Sequence, residues 1–373
     1  MLRGHAERGA SLTIGAQPPL AVKASRRRII TALPALGLAA LGGCRSPGEA
    51  QAPWIARAAR REGEVVVYAN NDVAGPVAEG FERRYPGLKV RFHELSSVAI
   101  RDAVLAEDGA AEPVADIAWS TAMDLQVKLV NDGFSQRVRL AEAQDLPRWA
   151  VWRDRGFAVT SEPVGFAYNA RLLPEAPDSH GALLKALRER PEAWRGKIAL
   201  YDPEKSAVGF MYLSADAQIY PRAWDLLEAI AASGPGLYVP GGAIMRRLSS
   251  GEHLLAYNMT LAYADWWARN RDRNIRFLEP ADYRFAVSSV AFITRAAPHP
   301  NAARLFLGYL LSAEGQERLR SGRLRPLRGH VERGRPGERH IRVGPGLLAN
   351  LDEARRADIL DRWRNALPPS ARP

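Results

Sequence analysis

Gly63-Glu64-Val65-Val66-Val67-Tyr68-Ala69-Asn70-Asn71-Asp72 is a β-branched apolar run that opens after a glycine and breaks into a polar turn. Such a run, too short and too uniformly apolar for a surface helix, reads as a buried strand over Glu64 to Ala69. Moving outward, Val77, Gly80, Phe81 and Arg84 fall at helical spacing, so Pro76 to Arg84 reads as a helix ended by Pro86-Gly87. Leu88 to His93 alternates like a second strand, and Val98 to Asp108 is a helix stopped by Gly109. Ala115 to Trp119 is a third strand. Ser120 or Thr121 is placed to cap the next helix, which runs to Asn131 and closes at Gly133. Strand, helix, strand, helix, strand with short polar turns predicts a parallel α/β sheet.

The same grammar continues with less regularity. Strands are expected at Val164 to Tyr168, Lys197 to Tyr201, Glu252 to Tyr257 and Phe285 to Thr294. Helices are expected at Gly181 to Arg190, Arg222 to Ala232, Leu261 to Arg269, Asn301 to Leu319 and Leu347 to Leu367. The last is expected to dock through Leu351, Ile359, Leu360 and Trp363.

Ahead of this body, Ser25-Arg26-Arg27 leads into the apolar run Ile29 to Leu41, which ends in Gly42-Gly43-Cys44. Thirteen residues fall short of the roughly twenty that a membrane span needs, so residues 1–43 read as an export signal, twin-arginine-like or with an ordinary basic flank before a general secretion signal. Cys44 is the single cysteine in the chain, which excludes a disulfide framework and any thiolate metal site beyond it. The seven histidines are scattered, with no His-x-x-x-His spacing. No metal and no cofactor are expected. Of the net charge of +11, the segment Arg318 to Arg342 supplies nine arginines against two glutamates. A basic excess confined to one Gly/Pro/Arg-rich stretch, Arg318 to Gly346, does not form the spread binding face of a nucleic-acid reader.

In sequence order, the segments resemble the extracellular solute-binding proteins of ABC importers, nearest to the group that includes the ferric-ion binders. The resemblance rests on Gly63 to Tyr68, Phe81 to Val90, Ala115 to Ser120, Gly165 to Asn169, Trp194 to Ala199 with Asp202-Pro203, and His299 to Ala303 with Leu311 to Gln316. It implies an α/β, two-lobe periplasmic-binding-protein-like (type II) fold, with parallel-rich sheets flanked by helices and hinge strands between the lobes. The expected organisation is a signal over 1–43, a linker over 44–62, lobe one over 63–163 plus 285–373, and lobe two over 164–284. Leu41-Gly42-Gly43-Cys44 is similar to a lipoprotein cleavage box, implying a lipid anchor on Cys44 and a place in the periplasm or cell envelope. The implied partners are a small polar or anionic solute, a permease and its ATPase, with the binding protein a monomer and not an enzyme.

Ligands of open parallel sheets sit beyond the carboxyl ends of strands. The candidate binding residues are therefore Tyr68, Asn70, Asn71, Trp119, Ser120, Thr121, Tyr201, Asp202, Ser206, Asn258 and Tyr263. They are hydroxyls, amides and aromatics, the groups that orient a polar solute, and Ser120, Thr121 and Ser206 precede helix starts, where free N–H groups favour an anion. Ferric binders of the family carry two adjacent tyrosines after an asparagine in this region. The chain instead reads Asn258-Met259-Thr260-Leu261-Ala262-Tyr263, which favours a metal-free solute and leaves ferric ion as the alternative. A further alternative, an exported enzyme, would rest on Asp116 and Asp202 as acid and base.

Overall fold

The computed structural model describes residues 53–70, 75–321, 324–328 and 338–369. Its strands are β1 (Glu64–Ala69), β2 (Lys89–Glu94), β3 (Ile117–Ser120), β4 (Val151–Trp152), β5 (Gly156–Ala158), β6 (Glu162–Asn169), β7 (Ile198–Tyr201), β8 (Gly236–Tyr238), β9 (Leu255–Thr260), β10 (Ile275–Leu278), β11 (Arg284–Val287), β12 (Val290–Ile293) and β13 (Glu338–His340). They form two sheets, ordered β2-β1-β3-β12-β5-β4 and β13-β11-β6-β9-β7-β8, with β10 also on β6. The β2-β1-β3 core of the first sheet is parallel, as the opening segments require. Strand β12 returns antiparallel to β3, and β6 is antiparallel to both β9 and β11, so both sheets are mixed.

Each sheet has its own core. Val65, Val67, Phe81, Phe157 and Phe306 pack in the first, and Phe166, Leu183, Phe210, Leu226 and Trp363 in the second. Full burial of such side chains is worth about 1.5–3 kcal/mol each. A third cluster joins Met123 and Ala158 of the first half to Met211, Phe285 and Val287 of the second.

Several expected boundaries move. Pro53–Glu62, within the stretch read as linker, is a helix. Ile55 and Ala59, one turn apart, are buried in the first core, and the Glu62 carboxylate accepts the Asn301 and Ala302 N–H groups. The helix expected over Asn301 to Leu319 breaks at Ser312, whose extended backbone ends Pro300–Leu311. The Ser312 hydroxyl then accepts the Gly315 N–H and starts Ala313–Ser321. Phe285 to Thr294 is two strands in different sheets, β11 and β12, because the chain crosses at Ser288-Ser289. Leu347 to Leu367 divides into a tight turn, Pro345–Leu351, and a helix, Glu353–Ala366, capped by Asp352.

The largest correction concerns the C-terminal part, which was expected in lobe one. Strand β13 pairs with β11 in the second sheet. Ile359, Leu360, Trp363 and Leu367 lie in the second core. The apolar stripe of that helix was legible, but a stripe does not name the surface that buries it. Residues 285–287 likewise belong to the second sheet, as β11. The expected signal over 1–43, Cys44 and Asn71 lie outside the described residues.

Candidate functional site

At the carboxyl ends of β1 and β3, Asn70 spends its whole amide on neighbours. Its Nδ2 donates to Ser97 Oγ at 2.9 Å and to Thr121 Oγ1 at 2.7 Å, while its Oδ1 accepts the Thr121 N–H at 3.1 Å. Ser120 Oγ donates to Ser97 Oγ at 3.0 Å and accepts the Ala122 N–H at 3.2 Å. A hydroxyl has one hydrogen to give. Ser97 and Thr121 only accept within this network, so each keeps its own hydrogen for a ligand. Asn70, Ser97 and Thr121 are all partly exposed. The capping expectation fails in detail: Ala122, without a side-chain bond, is the residue before the helix Met123–Asn131. The two hydroxyls serve the network instead.

A second group of candidate residues comes from the second sheet. After β7, Asp202 Oδ1 accepts the N–H groups of Glu204 and Lys205 at 2.8 and 3.2 Å, folding the chain into a turn. Ser206 follows and caps the helix Ala207–Ile219 by accepting the Gly209 N–H at 3.2 Å. Ala207 and Val208, partly exposed at this helix start, have amide N–H groups with no partner among the described residues. Such a terminus carries partial positive charge. Gly209 is required there, since a Cβ would lie 2.8 Å from the Asp202 carbonyl oxygen.

Tyr201 and Tyr263 meet over the start of the helix Gly241–Ser250, an element that the sequence reading missed. A Cβ on Gly241 would stand 2.4 Å from the Tyr201 hydroxyl and 3.5 Å from the Tyr263 ring, so the glycine makes room for both phenols. Burial, and then the neighbouring Tyr263, push the Tyr201 hydroxyl well above the usual phenol range.

Asn258 sits in the left-handed region, with φ of +57°. Its Nδ2 donates to Asp216 Oδ2 at 2.5 Å, and the same carboxylate takes the Tyr257 hydroxyl at 2.9 Å and the Tyr283 hydroxyl at 2.5 Å. Asp216 is fully buried; burial raises its pKa, opposed by the His180 charge and these three donors. Its bond to the Asn258 amide fixes that residue in a backbone conformation that asparagine tolerates better than most. Sequence reasoning overlooked Asp216, although a lone acid in Ala207–Ile219 was the available signal. It also overlooked Ser97, whose signal was the Ser96-Ser97 pair at a helix start.

Other expected residues serve the fold. Trp119 is fully buried in the first core and tilts against Phe92. Tyr68 is buried, and its hydroxyl donates to Glu107 at 2.7 Å. Neither lines the candidate surface. Asp116 accepts the Val66 and His299 N–H groups at 2.8 and 2.7 Å, and burial raises its pKa. Asp116 Oδ2 also pairs with His299 Nδ1 at 2.9 Å, while Asp202 is held in its turn with Lys205 Nζ 3.8 Å away, so the two carboxylates serve separate local structures. No group of three or more His, Cys, Asp or Glu side chains suited to a metal occurs among the described residues.

A family model described as a bacterial extracellular solute-binding protein matches residues 64–322. The substrate binding protein of the ABC transporter from Agrobacterium tumefaciens is similar, with 32% identity and a TM-score of 0.76 over 82% of this chain and 94% of that one. Two structures share the fold at lower identity. AfuA from Actinobacillus pleuropneumoniae, with exogenous fructose-6-phosphate bound, is 20% identical with a TM-score of 0.65, covering 82% of this chain and 99% of its own. Iron-bound HitA from Pseudomonas aeruginosa is 19% identical with a TM-score of 0.62, covering 81% and 99%. Among curated proteins none matches.

Proposed function

The chain belongs to the bacterial extracellular solute-binding proteins, the binding components of ABC transporters, and from that premise we propose that it captures a small oxyanion, a carboxylate or a phosphorus-containing acid. The solute lies between Asn70, Ser97 and Thr121 on one side and Ser206, Tyr201 and Tyr263 on the other. One observation carries this reading: the candidate surface is rich in unspent donors. The Ser97 and Thr121 hydroxyls keep their hydrogens, and the Ala207 and Val208 amides open a helix whose terminus favours negative charge. The two α/β halves close on the solute by bending at the strands that cross between them. The solute passes unaltered to the permease and its ATPase. The protein works outside the cytoplasm as a monomer, tethered to the membrane through lipid on Cys44.

The convergence of Tyr201 and Tyr263 supports a second reading, ferric ion held by two phenolates. Burial raises the Tyr201 hydroxyl above the ordinary phenol range, so losing its proton to a metal costs more there than for an exposed phenol, which weighs against this reading. Titration calorimetry with carboxylates, phosphonates and phosphate esters, each paired with a neutral analogue, tests the choice. The expected result is binding of an acid but not of its neutral partner, weakened about tenfold or more by Ser97→Ala or Thr121→Ala. Retention of Fe³⁺ alone, or turnover of any compound, would overturn the oxyanion reading.

A further inference from the structure

A second concavity lies away from the strand ends, a cavity of about 720 Å³ lined along one side by Met211, Ala215, Gln218 and Ile219 of the helix that Ser206 caps. Of these, Met211 stands five residues beyond Ser206 and Gln218 twelve, about 7.5 and 18 Å along the helix at 1.5 Å per residue. None of Asn70, Ser97, Thr121, Ser206 or Tyr263 lines it. Its opposite wall is β4 with the residues before it, and the chain from Arg339 to Asn350 closes it. The volume suits a small organic molecule.

The lining has a definite chemistry. Trp149, Trp152, Met211 and Leu347 give an apolar, aromatic floor. Trp149 is stacked on His340 at 4.5 Å between ring centres, and Arg153 lies over Trp152 at 4.7 Å, so the rings are fixed. Arg148, Arg153, Arg339 and Arg342 line the same cavity, and its described lining contains no carboxylate. Among the described residues no acid pairs with any of the four. Four arginines that have no acid partner among the described residues, beside an aromatic floor, suit a molecule with an apolar ring and one negative end. We propose that this cavity is a second ligand site, taking a small aromatic carboxylate whose ring rests among Trp149, Trp152 and Met211 and whose charge meets the arginines.

The two tryptophans supply the readout. Phenylacetate titrated into the full chain is expected to change tryptophan fluorescence saturably, and its neutral counterpart phenylacetamide to bind at least tenfold more weakly. The double variant Arg153→Gln with Arg342→Gln should weaken phenylacetate about tenfold. Gln218→Phe, at an exposed lining position whose amide donates to Asn350 at 3.3 Å, should fill the cavity without adding an indole and abolish the response. Thr121→Ala should leave it unchanged, whatever the fate of the strand-end site. Equal binding of the amide, no saturable response, or loss in Thr121→Ala with retention in the arginine variant would each overturn the assignment.

Discussion

Replacing Glu162 by glutamine is expected to change stability little near pH 5 and to raise it markedly above pH 8. Glu162 opens β6 immediately after the chain crosses from the first sheet, and it is 3% exposed. Its Oε1 accepts the Arg325 N–H at 2.8 Å, whereas its Oε2 has no partner among the described residues. Burial lifts the carboxyl from 4.5 to about 8, opposed by the Arg325 N–H and charge. Between those values the folded chain holds a proton that the unfolded chain has released, so stability falls as pH rises through that window. At about 1.4 kcal/mol per unit the ceiling is ~5 kcal/mol, and relaxation toward Arg325 brings the expectation to about 2–3 kcal/mol. Glutamine keeps the shape and the acceptor but never ionises. The difference between variant and parent should therefore grow from pH 5 to pH 8 and level off beyond pH 9. Urea denaturation of both proteins at pH 5, 7 and 9 measures it directly. A difference that does not vary with pH, or that shrinks as pH rises, refutes the reasoning.

Asp216→Ala strips three buried donors of their acceptor and should cost about 3–5 kcal/mol in thermal or chemical denaturation, with Asp216→Asn costing less. Trp363→Ala empties a fully buried site in the second core; a loss of about 3–5 kcal/mol is expected, and a loss under about 1 kcal/mol would show that the C-terminal helix does not secure that sheet. Gly241→Ala should weaken solute binding more than it lowers the melting temperature, because its Cβ displaces the Tyr201 hydroxyl. Gln316→Leu removes bonds to Val159, Leu310, Leu327 and Arg328 and should destabilise by about 3 kcal/mol or more, read as a lower urea midpoint.

Legibility in the sequence followed how local each signal was. Strands β1 and β3 could be read because short apolar runs between turn residues have few other interpretations. The helix Ala207–Ile219 could be read at its start, Ser206, but not in its extent, because it is apolar on nearly every side, leaving no stripe to mark its period. Asn70, Thr121 and Ser206 are candidates by their position at strand ends, a rule of topology rather than of side-chain chemistry. The same rule misplaced Trp119: successive strand residues face opposite ways, and its face is the core, while Ser120 turns toward Ser97. Asp216 was invisible because its role depends on Tyr257, Asn258 and Tyr283 converging from elements distant in the chain.

The passage between the sheets is built from three pieces of chain lying together. The Val159 N–H donates to the Ser289 carbonyl at 2.8 Å, and the Ser161 N–H to the Arg325 carbonyl at 3.0 Å. Gln316, on a helix whose Leu319 is in the first core, fixes the near end. Its Nε2 donates to the Val159 and Leu310 carbonyls, and its Oε1 accepts the Leu327 and Arg328 N–H groups. Residues 159 and 327 therefore move with the first sheet. On the far side, Val164 and Phe285 are partners in the second. Among the described residues Thr160-Ser161, Ser288-Ser289 and Arg325-Pro326 lie between, and there a side chain supplements the backbone bonds: the Ser289 N–H donates to Thr160 Oγ1 at 2.9 Å. A hydroxyl can turn to keep such a bond as the backbone angle changes, which a strand carbonyl cannot do without disturbing its neighbours. We place the closing bend, among the described residues, at these positions, Arg325-Pro326 included, with the buried Glu162 at its edge. That is why its protonation bears on the stability of the junction and not merely on that of one sheet.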